Sequence, residues 1–119
     1  MSRQAIGDRE EQMNAWIMLG IAIAAEIVGT TSLKLSNGFS RPGWTLAVVA
    51  GYAVSFYLMS QTLKTLPIGT VYAIWSGVGT VGTALIGLAI FGETFTAMKL
   101  AGIALIAAGV MALNLGGAH

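Results

Sequence analysis

The sequence contains no cysteine, two prolines and a single histidine, His119. Without cysteine, the chain has no disulfide, no thiolate metal site and no cysteine nucleophile. One histidine supplies neither a histidine-based metal cluster nor a relay of histidine and carboxylate. We therefore expect no metal and no other cofactor.

Charge is also scarce. Charged residues make up 9% of the 119 residues, against about 25% in an ordinary soluble domain. A chain this short has a large surface relative to its volume, and so few charges cannot cover it. A net charge of +1 provides no basic patch, so nucleic-acid binding is not expected. Hydrophobic residues make up 55% of the chain, which indicates a membrane protein instead.

The apolar stretches between the charges have the length of membrane helices. A helix crosses the apolar core of a bilayer with about 20 predominantly apolar residues. Stretches of that kind lie at residues 16–33, 44–63, 68–91 and 96–115. We predict an all-α integral membrane protein with these four transmembrane helices in one transporter domain, residues 13–119. The charged residues 1–12 are predicted to form a disordered polar leader, and Met13 is an alternative start.

Glu26 lies near the middle of the first predicted helix. A carboxylate at the bilayer centre is costly, and such residues usually mark ion or substrate pathways. A carboxyl group that takes up and releases a proton could exchange that proton for a cation. The alternative is a permanently protonated Glu26 that hydrogen-bonds to a neighbouring helix. The residues on its helical face leave space in front of the carboxylate and are predicted substrate contacts: Leu19, Ala22, Ile23, Gly29 and Thr30.

Aromatic residues on the next two predicted helices suit a lipophilic cation. Tyr52 and Phe56 share one face of the second helix, and Tyr72, Trp75 and Ser76 share a face of the third. Aromatic rings around a carboxylate attract a lipophilic cation through cation–π and apolar contact. Each aromatic residue taken singly is more often a packing residue. The combination with Glu26 predicts a substrate-binding site.

Glycines suggest how the helices move and pack. Gly77 and Gly79 lie inside the third helix, where glycine permits a kink that could serve alternating access. Gly102 and Gly109 lie seven residues apart on the fourth helix among alanines, a small-residue seam suited to contact between helices.

Basic residues do not favour one orientation in the membrane. Arg3, Arg9 and Lys64 would lie on one side of four spans, and three basic residues on the other: Lys34, Arg41 and Lys99. We therefore predict insertion in both orientations and antiparallel pairing. A dimer also supplies the two structural repeats between which transporters usually bind substrate.

Three stretches together resemble the small multidrug resistance family: residues 25–34 (AEIVGTTSLK), 37–39 (NGF) and 72–79 (YAIWSGVG). The resemblance extends from Met13 to the C-terminus. It implies an antiparallel, often dual-topology homodimer in the bacterial inner membrane that exchanges protons for cationic compounds by alternating access.

The resemblance also implies a role for individual residues. Glu26 matches the family's shared carboxylate for proton and substrate. The matching positions for aromatic substrate contacts are Tyr52, Tyr72 and Trp75. Those for the kink in the third helix are Gly77 and Gly79, and those for the dimer seam are Gly102 and Gly109.

Four residues resemble the EmrE-like branch of the family, which exports quaternary ammonium and other lipophilic cations. Guanidinium exporters typically carry a bulky residue at the place of Ala25, a tryptophan at that of Gly29-Thr30 and a threonine at that of Ser76. The alternative is a guanidinium or other small-cation exporter of the same family. A channel-like peptide and a purely structural subunit are the remaining interpretations.

Overall fold

The computed structural model describes residues 3–115, and within them the chain forms four α-helices and no strand. Their bounds are α1 Arg3–Leu35, α2 Pro42–Thr62, α3 Ile68–Phe91 and α4 Ala97–Leu115. The prediction of an all-α protein with four helices is confirmed, and the third helix has the bounds predicted for it. His119 lies outside the described residues.

Local sequence explains where the helices begin and end. Three consecutive residues with positive φ reverse the chain after α1: Asn37 at 50°, Gly38 at 69° and Phe39 at 65°. The second helix then begins at Pro42, two residues earlier than predicted, because proline suits the first turn of a helix. Gly92 ends α3 in the left-handed conformation at φ 63°, which glycine adopts without strain.

The structure differs from the prediction over the first twelve residues. The first helix begins at Arg3 and continues through the segment expected to be a disordered leader, while residues 1 and 2 lie outside the described part. Residues 6–14 are all exposed. Once the apolar part of α1 is helical, each further residue adds a hydrogen bond, and glutamate, arginine and glutamine are good helix formers. The helix can therefore extend without packing against the rest of the chain.

Close packing of α1 against α2 organises the bundle. A Cβ atom on Gly51 would lie 2.9 Å from the carbonyl oxygen of Ala25 and from Gly29 Cα, so glycine is needed at this crossing. Nearby, the buried Ser55 hydroxyl donates a hydrogen bond of 2.7 Å to the Ala22 carbonyl. The third helix packs on both α1 and α4. A small apolar core forms between α1, α3 and the connection before α3: Ala15, Leu19, Ile23, Leu66, Val71 and Ile74.

Large apolar side chains are widely exposed on the outer surface of the bundle. Leu46 is 71% exposed, Leu105 74% and Met98 81%. In the described part of the chain, three helical segments are long and apolar enough to cross a membrane, Ile6–Leu35, Pro42–Thr62 and Ile68–Phe91, and the apolar part of α4, Ala97–Leu113, is shorter. Such surfaces are stable in lipid and not in water, so the chain is a multi-pass membrane protein.

Candidate functional site

Glu26 is half-buried on α1 and is held by hydroxyl groups from one side. The Thr30 hydroxyl, one turn further along α1, donates a hydrogen bond of 2.9 Å to Glu26 Oε1. The Tyr52 hydroxyl of α2 lies 2.7 Å from the same threonine oxygen. Because the threonine proton is directed to Glu26, the tyrosine hydroxyl donates to Thr30. The chain of hydrogen bonds fixes the orientation of the carboxylate.

The other carboxylate oxygen differs from the first. Glu26 Oε2 is buried and has no hydrogen-bond partner among the described residues. It faces α3, where a Cβ atom on Gly79 would lie 3.0 Å from it. A buried acceptor without a partner is rare and costly, and it needs an explanation. A ligand that binds to Oε2 would supply one.

A cavity of about 520 Å³ lies in front of this carboxylate. Its walls come from α1, from α3 and from the connection that follows α3. It is lined by Glu26, Thr30, Trp75, Ser76, Gly79, Thr80, Thr83, Ala84 and Glu93. The cavity therefore combines carboxylates, hydroxyl groups and an indole, which suits a cation with an apolar body.

Four aromatic rings form a continuous row beside the cavity. Tyr52 stacks on Phe56 with ring centroids 6.0 Å apart, and Phe56 lies 6.2 Å from Trp75. Tyr72 extends the row at 5.6 Å from Trp75. These spacings are those of favourable aromatic pairs. The Nε1 atom of Trp75 is buried and lacks a hydrogen-bond acceptor among the described residues.

Comparison with known proteins identifies the family. The model of the Small Multidrug Resistance protein family matches residues 14–106. The chain belongs to the small multidrug resistance family. Proteins of this family are transporters, so the chain is a transport protein and not an enzyme.

Three relatives illustrate the range of the family. The chain is 45% identical to the multidrug transporter EmrE of Escherichia coli (strain K12) over 103 residues, which cover 87% of this chain and 94% of the relative. It is 48% identical to the multidrug resistance protein EbrB of Bacillus licheniformis over 102 residues, 86% of each chain. A guanidinium exporter of Yersinia pseudotuberculosis is 40% identical over 101 residues, 85% of this chain and 97% of the relative.

Several residues predicted to contact substrate do not line the cavity in front of Glu26. Leu19 and Ile23 are buried in the apolar core, and Ala22 is fully buried beside Ser55. Gly29 is buried against Gly51 and the ring of Tyr52. The prediction identified the buried face of α1 but did not separate the residues that pack against other helices from those that line the cavity. The first part of that face packs against α2 and α3, and the cavity opens only from Glu26 onward.

The glycines chosen from the sequence have different surroundings. The third helix is continuous through Gly77 and Gly79. A Cβ atom on Gly77 would lie 2.5 Å from Val110 Cγ2, so this glycine permits close packing of α3 on α4. Nothing lies within 4 Å of a Cβ atom built on Gly102 or Gly109. Within residues 3–115, the predicted small-residue seam therefore has no packing partner at these two glycines.

Sequence reasoning missed part of the cavity wall. Ser76, Thr80 and Thr83 form a row of hydroxyl residues on α3, and only Ser76 was predicted as a contact. Their spacing of four and three residues in an uncharged helix is a signal that could have revealed the row. Glu93 carries no such signal, because its place at the cavity depends on the turn at Gly92.

Proposed function

We propose that this protein is a proton-coupled efflux transporter for quaternary ammonium and other lipophilic aromatic cations. The single observation that carries the proposal is Glu26 Oε2, buried without a hydrogen-bond partner among the described residues, beside a cavity that the Trp75 indole lines. The names of relatives such as EmrE and QacE, a quaternary ammonium compound-resistance protein, support the same substrate class.

Exchange would follow from the two ligands of one carboxylate. When Glu26 loses its proton, the cavity becomes negative and a lipophilic cation binds with its charge near Oε2. The rings of Trp75 and Tyr72 then contact its apolar groups. When Glu26 is protonated again, the charge attraction disappears and the cation leaves. Because proton and cation compete for the same group, inward proton flow drives outward cation movement.

Glu26 has no basic partner among the residues that the structure describes, and this supports the role. The ion pair found in the described part of the chain joins Lys34 to Glu93, and Glu26 takes no part in it. A structural buried carboxylate is normally paired with a cation or fully hydrogen-bonded. Glu26 is neither, so its charge is available to a ligand.

We also propose an antiparallel homodimer in the bacterial inner membrane, inserted in both orientations. Four helices are too few to form the two repeats between which transporters bind substrate. A second copy would add a second Glu26 and close the open side of the cavity. The small-residue seam at Gly102, which is half-buried, and Gly109, which is exposed, is the surface that we assign to the dimer contact.

Export of guanidinium is the second candidate, and the row of hydroxyl groups favours it. Ser76, Thr80 and Thr83 line the cavity opposite Glu26. Guanidinium is a planar cation with several N–H donors, and hydroxyl oxygens accept such hydrogen bonds. A relative of this chain carries the name guanidinium exporter.

Uptake into proteoliposomes under an imposed pH gradient tests both candidates. Tetraphenylphosphonium represents the lipophilic cations, and guanidinium represents the small ones. We expect uptake of tetraphenylphosphonium that requires the gradient and is lost in Glu26→Gln, because the amide keeps the shape but cannot exchange a proton. Preference for guanidinium would favour the second candidate. Gradient-driven uptake retained in Glu26→Gln would contradict both.

A further inference from the structure

Lys34 and Glu93 form an ion pair at the end of the bundle where the connection between α3 and α4 lies. Lys34 Nζ donates a hydrogen bond of 3.1 Å to Glu93 Oε2. The same nitrogen lies 4.7 Å from the centre of the Phe91 ring, within the range of cation–π contact. A carboxylate and an aromatic ring thus both contact the same ammonium group.

The backbone around Glu93 places its carboxylate at this point. Gly92 turns the chain with φ 63°, and the Glu93 N–H donates a hydrogen bond of 3.0 Å to the Gly87 carbonyl. The Glu93 carboxylate then lies over Gly87, in space that a Cβ atom on that residue would fill. The end of α3 is therefore shaped to receive this carboxylate.

The ion pair adjoins the larger cavity. A second cavity of about 100 Å³ is lined by Lys34, Phe91 and Glu93, together with Thr30 and Thr83. Thr30, Thr83 and Glu93 also line the cavity in front of Glu26. The two cavities therefore share three polar residues, and the ion pair lies next to the cavity of Glu26.

We propose that Glu93 and Phe91 form an outer cation site, which the Lys34 ammonium occupies until the head group of a quaternary ammonium substrate displaces it. This inference rests on the proposed export of organic cations and names a second place where they bind. The outer cation site offers the same combination as the Glu26 cavity, a carboxylate beside an aromatic ring. Its smaller volume suits a compact head group and not a whole aryl cation.

Displacement is feasible because the pair is accessible. The side chains of Lys34 and Glu93 are 54% and 46% exposed, and exposed ion pairs are weak. A lysine ammonium is strongly hydrated, so water competes with Glu93 and Phe91 for it. A quaternary ammonium loses little hydration when it binds to an aromatic ring, and such rings are a common means of recognising it.

Equilibrium dialysis with tetramethylammonium tests the outer cation site in protein whose inner site is disabled. In Glu26→Gln, Lys34 still occupies the outer site, so we expect weak binding. Addition of Lys34→Gln should tighten binding by about two- to fivefold, the range for an exposed cation–π contact. Addition of Glu93→Gln to that double variant should abolish the gain. Addition of Lys34→Arg in place of Lys34→Gln keeps a cation at the site and should leave binding weak.

Binding that does not tighten in Glu26→Gln/Lys34→Gln, or that persists after Glu93→Gln, would overturn the proposal. A second measurement uses protein with Glu26 intact. Lys34→Gln should lower the KM for tetramethylammonium by about two- to fivefold, and Lys34→Arg should not. An unchanged KM in Lys34→Gln would also overturn it. Failure of the proposed function appears separately, as wild-type protein that takes up no organic cation.

Discussion

Replacement of Gly79 by alanine should weaken cation binding without destabilising α3. The added methyl carbon would lie 3.0 Å from Glu26 Oε2, tighter than an ordinary contact, so the carboxylate must shift by a few tenths of an ångström. The methyl group also lies against Oε2, the unpaired oxygen that a cation would approach. Alanine at a helix-interior position is favoured over glycine by about 1 kcal/mol, so the variant should still fold.

The expected loss of affinity follows from the group that is covered. Blocking the partner of a buried charged acceptor costs about 1–3 kcal/mol, which corresponds to a dissociation constant weaker by about five- to 150-fold. We expect Gly79→Ala to weaken tetraphenylphosphonium binding by that amount.

Gly69→Ala is the matched control, because Gly69 is also on α3 and nothing lies within 4 Å of a Cβ atom built there. Binding is measured by calorimetric titration in detergent, and stability by thermal unfolding of the same samples. The control should bind tetraphenylphosphonium as the wild type does. If Gly79→Ala binds as tightly as Gly69→Ala, the cation does not approach Oε2 from α3 and the reasoning fails.

Two further predictions concern the hydrogen-bond chain and the helix contact. Tyr52→Phe removes the donor to Thr30 but leaves the hydrogen bond from Thr30 to Glu26, so gradient-driven uptake should fall by about two- to tenfold. Thr30→Val removes the charge-assisted hydrogen bond to Glu26 itself, so uptake should fall further. Equal effects in the same uptake assay would contradict this order. Gly77→Ala should lower the free energy of unfolding by about 1–3 kcal/mol, since its methyl group would overlap Val110, and Val110→Ala should restore stability in the double variant. Denaturant unfolding in detergent measures both, and a Gly77→Ala protein as stable as the wild type would contradict the packing.

Local chemistry explains which parts of the fold were predictable. The bounds of α3 follow from Pro67 before the helix and Gly92 after it, which act on adjacent residues alone. The start of α2 was placed two residues late, because the apolar stretch begins at residue 44 whereas the helix opens at Pro42. The helical state of residues 3–12 was missed because it depends on continuation from the apolar part of α1, not on composition.

Within the candidate site, the predictable residues were those with an unusual chemistry for their position. Glu26 stands out because a carboxylate is costly in a membrane helix, and the aromatic residues near it are visible from their helical spacing. The buried residues Leu19, Ala22 and Ile23 share that face equally well, and spacing alone does not separate packing from cavity. Glu93 was overlooked because its approach to Lys34 joins residues 59 positions apart.

The amino-acid sequence is sufficient for the membrane class, the number of helices, the carboxylate inside the first helix and the resemblance to the small multidrug resistance family. These properties depend on hydropathy, local turn chemistry and residue type, each of which is carried by a short stretch of chain. The packing of the helices, in contrast, sets which oxygen of Glu26 lacks a partner, which wall faces it and where the Lys34 ammonium binds. The contact at Gly79 joins two helices, and the contact at Glu93 joins α1 to the connection after α3. Both depend on how far each helix is rotated and how closely it approaches its neighbour.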